Sequence, residues 1–434
     1  MSLYNRIGLL TIAITLGCNC SVLISKVNAQ GLGNSPYSSL GLGELYNDAF
    51  AASSGMGQSG VSTASSFEIN NLNPALWIRN KYTTLDFGAI GQYKKLASGN
   101  AKQNNFGANL GYVALSFPVA RRWTLGVSIK PYSFVDFQNT STRNVAGTPY
   151  NALYINSGKG GVNKVSFTNA FQIGRYLSLG LESSYYFGNI KKSTEAIIPF
   201  ANDGSDYLAS INDRTTYSDF SFRGGAALRL PIKKDNKLNL NLGGAYSLGT
   251  KLNAIHTTSF ELTQASFPII DPDTLVNKKS GSVTLPTQYQ VGFSFEWPYK
   301  LTLSADYSHE AWNEYRSFGS TDARNGLKDV DRVHLGVEYT PKFGSLSYFD
   351  NVRYRAGFSH GNTPYVIKEN NIKDTNFSLG FTFPMGRGYQ NFVSLSFIGG
   401  QRGVLGSGQV RERYGRVALG LTLRETWFVK QKID

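Results

Sequence analysis

The run Arg416-Val417-Ala418-Leu419-Gly420-Leu421-Thr422-Leu423 decides the fold. Every second residue is a large aliphatic, and those between are charged, small or hydroxylated. Successive side chains of a strand point to opposite faces, so this run makes a strand with one oily face and one small or polar face. The same period of two returns upstream. Tyr289, Val291, Phe293 and Phe295 alternate with Gln290, Gly292, Ser294 and Glu296. Leu301, Leu303, Ala305 and Tyr307 alternate with Thr302, Ser304, Asp306 and Ser308. Val333, Leu335, Val337 and Tyr339 repeat the pattern, as do Phe377, Leu379, Phe381 and Phe383. Between Tyr82 and Phe428 about fourteen segments have this strand character.

The connections add a second regularity, because long and short ones alternate. The long ones fall near 94–105, 135–160, 192–215, 250–282, 311–330, 361–372 and 401–412. The short ones fall near 118–122, 174–176, 231–237, 297–300, 341–351 and 384–389. In an up-and-down sheet every second connection lies at the same end, so one end is trimmed and the other elaborated. Transmembrane barrels have this asymmetry and an even strand number. Lipid offers no partner to a bare sheet edge, so a sheet that spans it must close. The reading is an all-β protein: a transmembrane antiparallel up-and-down β-barrel of about fourteen strands over 81–434, with an N-terminal hatch or plug. A soluble β-sandwich or a long antiparallel array shows the same alternation and is the alternative. Trp123, Trp297 and Trp427 at predicted strand ends fit an interfacial belt.

Composition narrows the classes. Charged residues are 17% of the 434, and Tyr and Phe number 25 and 27, the opposite of a disordered chain. The 46 glycines show no collagen period. Mean hydropathy is −0.23, and past residue 25 no apolar run is long enough for a membrane helix. The formal charge of +14 raises nucleic acid as a partner. Arg121-Arg122 and Lys233-Lys234 lie at short turns and Lys278-Lys279 in a long connection, where anionic lipid headgroups are the expected partner and nucleic acid is not.

Residues 1–29 read as a secretory signal peptide: Arg6 and Lys26 without an acid, an apolar stretch from Ile7 to Leu16, and Val27-Asn28-Ala29 before a cut at Gln30. A membrane anchor, and a lipoprotein leader lipidated at Cys18, are the alternatives. Cys18 and Cys20 both fall in this leader, so a processed chain holds no thiol for disulfide, zinc or nucleophile. The expected location is the outer membrane of a Gram-negative cell.

Residues 30–80 are rich in Gly, Ser, Asn and Ala and lack alternation. Gly55-Met56-Gly57-Gln58-Ser59-Gly60-Val61 and Asn70-Asn71-Leu72-Asn73-Pro74-Ala75-Leu76-Trp77 stand out. The run from Gly55 to Trp77 resembles the N-terminal hatch of the long-chain fatty-acid transporter (FadL-type) family. That hatch ends in an Asn-Pro-Ala motif just before the first strand, matched by Asn73, Pro74, Ala75 and Leu76. The Gly55-Met56-Gly57 start resembles that of PorV-like members, subunits of the type IX secretion system, and Ser35-Pro36-Tyr37-Ser38 and Leu423–Lys430 resemble relatives in Bacteroidetes. The resemblance implies a barrel, a hatch that blocks its lumen, and a passive route for hydrophobic molecules. It implies a kinked third strand with a side exit toward lipid, for which this chain offers Pro131. Two departures stand: Ala64-Ser65-Ser66-Phe67-Glu68 replaces the family's Asp-Ala-Ser-Thr block, and no aromatic residue ends the chain.

Candidate site residues follow. Gly55, Met56, Gly57, Asn73, Pro74, Ala75 and Leu76, with Leu40, Leu42 and Leu72, would line or gate the path. Pro131 marks a kink, or else the end of its strand at the rim. Glu182, Arg332, Glu338, Arg353, Arg355 and Arg416 are expected to face the lumen, either as a binding or conducting lining or as ion pairs between strands and hatch. His256, His309, His334 and His360 show no ligand spacing, and His256 and His360 are placed in or beside outer loops. Asp203, Asp206, Asp271 and Asp273 fit no calcium loop. No nucleophile signature occurs, so an enzyme, a cofactor and a metal are not expected. The expected function is passive uptake of small hydrophobic molecules across the outer membrane. The alternative is an accessory subunit, a scaffold and partner-binding protein, in a larger outer-membrane secretion or assembly complex. The expected partners are membrane lipid, a hydrophobic small-molecule substrate or that larger complex.

Overall fold

The computed structural model describes residues 32, 35–63, 65–145, 147, 151–198, 207–232, 237–264, 267–320, 327–367, 370–386, 390–406 and 408–425. The expected leader with Cys18 and Cys20, Asp203 and Asp206, Lys233-Lys234, and Trp427-Phe428 lie outside them. Fourteen antiparallel staves follow in chain order. They are β1 (Thr83–Ser98), β2 (Ala101–Ala120), β3 (Trp123–Asn144), β4 (Asn151–Ile173), β5 (Leu177–Ile198) and β6 (Tyr207–Pro231). Next come β7 (Asn239–Ser247, resumed as Thr250–Gln264) and β8 (Phe267–Leu285, resumed as Gln288–Trp297). The last six are β9 (Leu301–Glu310), β10 (Val330–Tyr339), β11 (Arg353–Ile367), β12 (Asn370–Met385), β13 (Asn391–Arg402) and β14 (Arg411–Glu425). β14 pairs with β1 from Arg411↔Ala97 to Glu425↔Thr83, which closes the cylinder. The strand that opens the barrel thus abuts the one that ends it, and the fourteen-strand reading holds.

The alternation sorts by side. Val291 and Phe293 on β8, Val333, Leu335 and Val337 on β10, and Leu419 on β14 are each about two-fifths to one-half exposed on the outer surface. Their neighbours Ser294, His334, Ala418 and Thr422 are buried inside. An oily exterior around a polar interior is the arrangement a membrane demands of a barrel.

The elaborated end differs from expectation. Most of 135–160, 192–215 and 250–282 is strand, not loop. β4, β5 and β6 run for 23, 22 and 25 residues, whereas spanning a bilayer takes about 9–11. Their outer parts, with those of β3, β7 and β8, form one paired wall rising past the apolar belt. Water bathes much of both faces there, so the sequence carries Thr, Ser, Asn and Lys without an oily period and reads as loop. His256 and His360 accordingly sit within β7 and β11, not in loops.

One seam interrupts the wall. β2 pairs with β3 only from Val113↔Ile129 to Ala120↔Trp123. Above Ile129, β3 turns inward: its register on β4 slips between Pro131 and Ser133, and Tyr132, Ser133, Phe134 and Val135 are all buried. Pro131 therefore does not end its strand, which continues to Asn144. Proline lacks the N–H that a ladder pair on β2 would use.

Candidate functional site

The segment from Leu32 to Asn80 touches strands on every side of the closed ring, which is possible only from within. Gln92 on β1 donates to Leu32 O at 3.0 Å. Asp306 on β9 accepts from Gly60 N and Val61 N at 2.6 and 2.9 Å. Ser378 on β12 accepts from Gly57 N at 2.8 Å, and Ser396 on β13 donates to Ala51 O at 2.7 Å. Inward-facing glycines make room for this chain. A Cβ at Gly357 would meet Gly57 N at 2.0 Å, one at Gly180 would meet Ala75 N at 2.3 Å, and one at Gly126 would meet the Trp77 ring at 2.0 Å. Gly243, Gly336 and Gly380 play the same part against Val61, Ser59 and Gly55.

The Asn73-Pro74-Ala75-Leu76 run is the start of a 3-10 helix, Pro74–Arg79. Asn73 Oδ1 accepts from Ala75 N at 3.0 Å while its amide donates to Val61 O and to Ala226 O, both at 2.9 Å. Pro74 at the first helical position loses no bond, because that N–H has no intrahelical partner. The side chain of Asn73 thus caps the helix and fastens it to β6 at once.

Three acids are the only carboxylates in residues 30–80, and each ends in an ion-pair cluster. Glu44 meets Lys94 at 2.6 Å and Arg402 at 3.0 Å, and Arg402 continues to Glu412 at 3.3 Å. Asp48 meets Lys130 at 2.5 Å, Lys164 at 3.3 Å and Arg223 at 3.5 Å, and Lys164 also meets Glu182 at 3.3 Å. Glu68 meets Arg353 at 3.1 Å and Arg355 at 2.9 Å, and Arg355 meets Glu338 at 2.7 Å. Burial by itself would raise all three carboxyls, but the facing cations outweigh it. Glu44 is brought down to about 2 by Lys94 and Arg402, and Asp48 and Glu68 are lowered by theirs.

Of the expected lumen residues, Glu182, Glu338, Arg353 and Arg355 are thus gathered into two clusters. Arg332 lies against Asn362 O and Arg416 donates to Gln92 at 2.8 Å. Phe67 is held between guanidiniums, with Arg353 4.6 Å and Arg424 5.3 Å from its ring centre. Sequence reasoning passed over Glu44, Asp48 and Glu68, although three isolated acids in a segment whose one other charge is Arg79 are themselves a signal that partners exist.

Two cavities, of about 160 and about 130 Å³, adjoin the segment. The larger lies against Glu44–Asp48 of the segment; Arg223, Arg332, Arg402 and Glu310 line it together with aromatic and aliphatic residues such as Tyr132, Tyr289, Val330 and Tyr365, and its surface is more polar than apolar. Tyr132, Val330 and Tyr365 of its lining belong to an apolar cluster that also includes Tyr37, Leu42, Trp312, Tyr315 and Leu327. The smaller lies between the segment and the short turns, among Phe67, Tyr299, Phe343 and the Glu68 cluster.

At the seam a two-residue strand of the inner segment, Glu44–Leu45, pairs antiparallel with β3 as Glu44↔Phe134 and Leu45↔Ser133. Tyr46 N extends the ladder to Tyr132 O at 2.8 Å. Gly43, with φ +95°, is required there, since a Cβ would lie 2.3 Å from Phe134 O. The free edge of β3 is therefore occupied from inside.

No curated protein matches the chain. Among solved structures it resembles the CymD monoaromatic hydrocarbon channel, with 15% identity and a TM-score of 0.54 over 90% of this chain and 100% of that one. It resembles a Pseudomonas aeruginosa FadL homologue, with 14% identity and a TM-score of 0.56 over 88% and 99%. It also resembles the Pseudomonas putida toluene transporter TodX, with 14% identity and a TM-score of 0.57 over 88% and 99%. These likenesses establish the FadL-type barrel fold. The BamG family profile matches residues 12–434, and the chain belongs to the BamG family.

Proposed function

We infer that this is an outer-membrane barrel whose lumen is permanently filled, acting as an accessory scaffold in a larger outer-membrane complex. The observation that carries the reading is the state of the interior. An apolar cluster packs Tyr37 and Leu42 of the inner segment among buried side chains of the wall, and three ion-pair clusters tie the segment to it. The larger cavity is more polar than apolar, whereas a site for hydrophobic cargo is mostly apolar. Residues 30–80 act as a fixed plug, and Gly55–Gly57 and Asn73–Leu76 as its seats rather than as a gate. The wall built by β3 to β8 offers a partner a surface beyond the membrane. The likeness of Gly55–Val61 to PorV-like subunits supports this reading.

A second reading, passive uptake of small hydrophobic molecules, is favoured by the seam at Pro131 and by the hydrocarbon channels that share the fold. Gentle detergent extraction with native-size analysis and identification of bound proteins and lipids separates the two. The scaffold reading expects one partner at fixed stoichiometry. A lone barrel carrying an apolar molecule contradicts it and supports uptake.

A further inference from the structure

The seam leaves β2 with a bare edge at a depth where bare edges are costly. Among the described residues no ladder pair joins β2 to β3 beyond Val113↔Ile129. From Phe106 to Tyr112, β2 pairs with β1 alone, with Phe106↔Tyr93, Ala108↔Gly91 and Leu110↔Ala89. Phe106 and Leu110 point outward, 62% and 56% exposed, and continue the apolar outer face on which Val119 lies nearer the short turn, the face a spanning barrel turns to lipid. Acyl chains cannot satisfy the N–H and C=O groups that such an edge presents.

β3 cannot supply them in this state. Its edge at Tyr132–Phe134 is taken by Glu44–Tyr46, and Glu44 is anchored by Lys94 and Arg402. Tyr46 stands behind the gap, its hydroxyl 3.2 Å from where a Cβ at Gly111 would be. A small hydrophobic molecule in the window would bring no hydrogen bonds. The chemistry that completes the edge is another strand.

We propose that Phe106–Tyr112 of β2 is an acceptor edge for an extended, apolar strand of a partner polypeptide, added to the sheet within the membrane. The partner strand has period-two apolar residues facing lipid, matching Phe106 and Leu110. The proposal rests on the scaffold reading in that it requires a partner, and it names where one contact is made.

The test uses the full chain in its native membrane, with a photo-crosslinking residue placed singly at Phe106, Ala108 or Leu110. Phe377 and Leu379 on β12, 65% and 56% exposed, serve as controls because β12 is paired on both sides. The expected result is crosslinks from the three β2 positions to a single partner segment. The partner residues should advance two at a time in the opposite direction, with no such crosslinks from the controls. Crosslinks to Tyr132–Phe137 of the same chain would show that β3 closes the seam. Crosslinks to lipid alone would show that nothing pairs there. Either overturns the proposal. A fixed-stoichiometry complex that lacks these crosslinks refutes the seam contact and leaves the scaffold reading standing.

Discussion

Glu68 and Gly357 show at the scale of single residues how the inner segment is held. Glu68 is opposed by two buried guanidiniums. Removing one partner of a buried pair leaves uncompensated charge and costs about 3–5 kcal/mol. Glu68→Gln is expected to lose stability of that order, read as a lower urea midpoint in detergent. Gly357→Ala drives a methyl into the Met56–Gly57 backbone and should cost about 1–3 kcal/mol. Gly399→Ala, where nothing lies within 4 Å of a new Cβ, should leave the same midpoint unchanged. Asn73-Pro74 was singled out only for its likeness to a hatch motif, although Asn followed by Pro is also a local helix-start signal, and a helix does start there. The partners of Glu44, Asp48 and Glu68 were not legible, because each lies tens to hundreds of residues away and leaves no local mark.

Among elements, the strands were legible wherever one face meets lipid and the other the lumen, as in β9, β10 and β14. The wall formed by outer β3 to β8 was not, since a sheet solvated on both faces has no apolar period to read. Pro131 marked the irregular place in β3, but the pairing of Glu44–Leu45 with that strand has no sequence pattern. Two predictions belong to this scale. Leu45→Cys with Ser133→Cys places thiols on directly opposed residues, where Cβ atoms sit about 4.5–5.5 Å apart before relaxing into a bond. Oxidation should join them in high yield, as a mobility shift reversed by reductant, and the absence of a crosslink would contradict the docked arrangement. The second concerns pH. Glu44, Asp48 and Glu68 have lowered pKa values in the folded chain, so their contribution is complete above the ordinary carboxylate value near 4.5. It fades as pH falls from there toward about 2, the Glu44 value. Protection factors across 35–63, each corrected for the intrinsic amide exchange rate at its pH, should therefore fall at pH 3 relative to pH 7, while those of β4 to β6 hold.

For the molecule as a whole, the closed barrel has residues of the 35–80 segment bonded to its inner wall. The fourteen staves and their trimmed and elaborated ends followed from alternation and loop parity. The inner segment was expected only through the hatch resemblance, because a Gly, Ser and Asn-rich segment looks alike whether it extends into water or coils inside a wall. The glycines that seat it, Gly126, Gly180 and Gly357 among them, read in the sequence as weak strand positions. In the structure they trace the path of residues 55–77 around the inner surface. On the scaffold reading this path seals the barrel. The seal is tested most directly by conductance in a planar bilayer at neutral pH, comparing the full chain with a chain carrying Glu44→Gln, Asp48→Gln and Glu68→Gln together. The full chain should show no steady conductance, and the triple variant should open. A stable open channel in the unaltered protein would contradict the account.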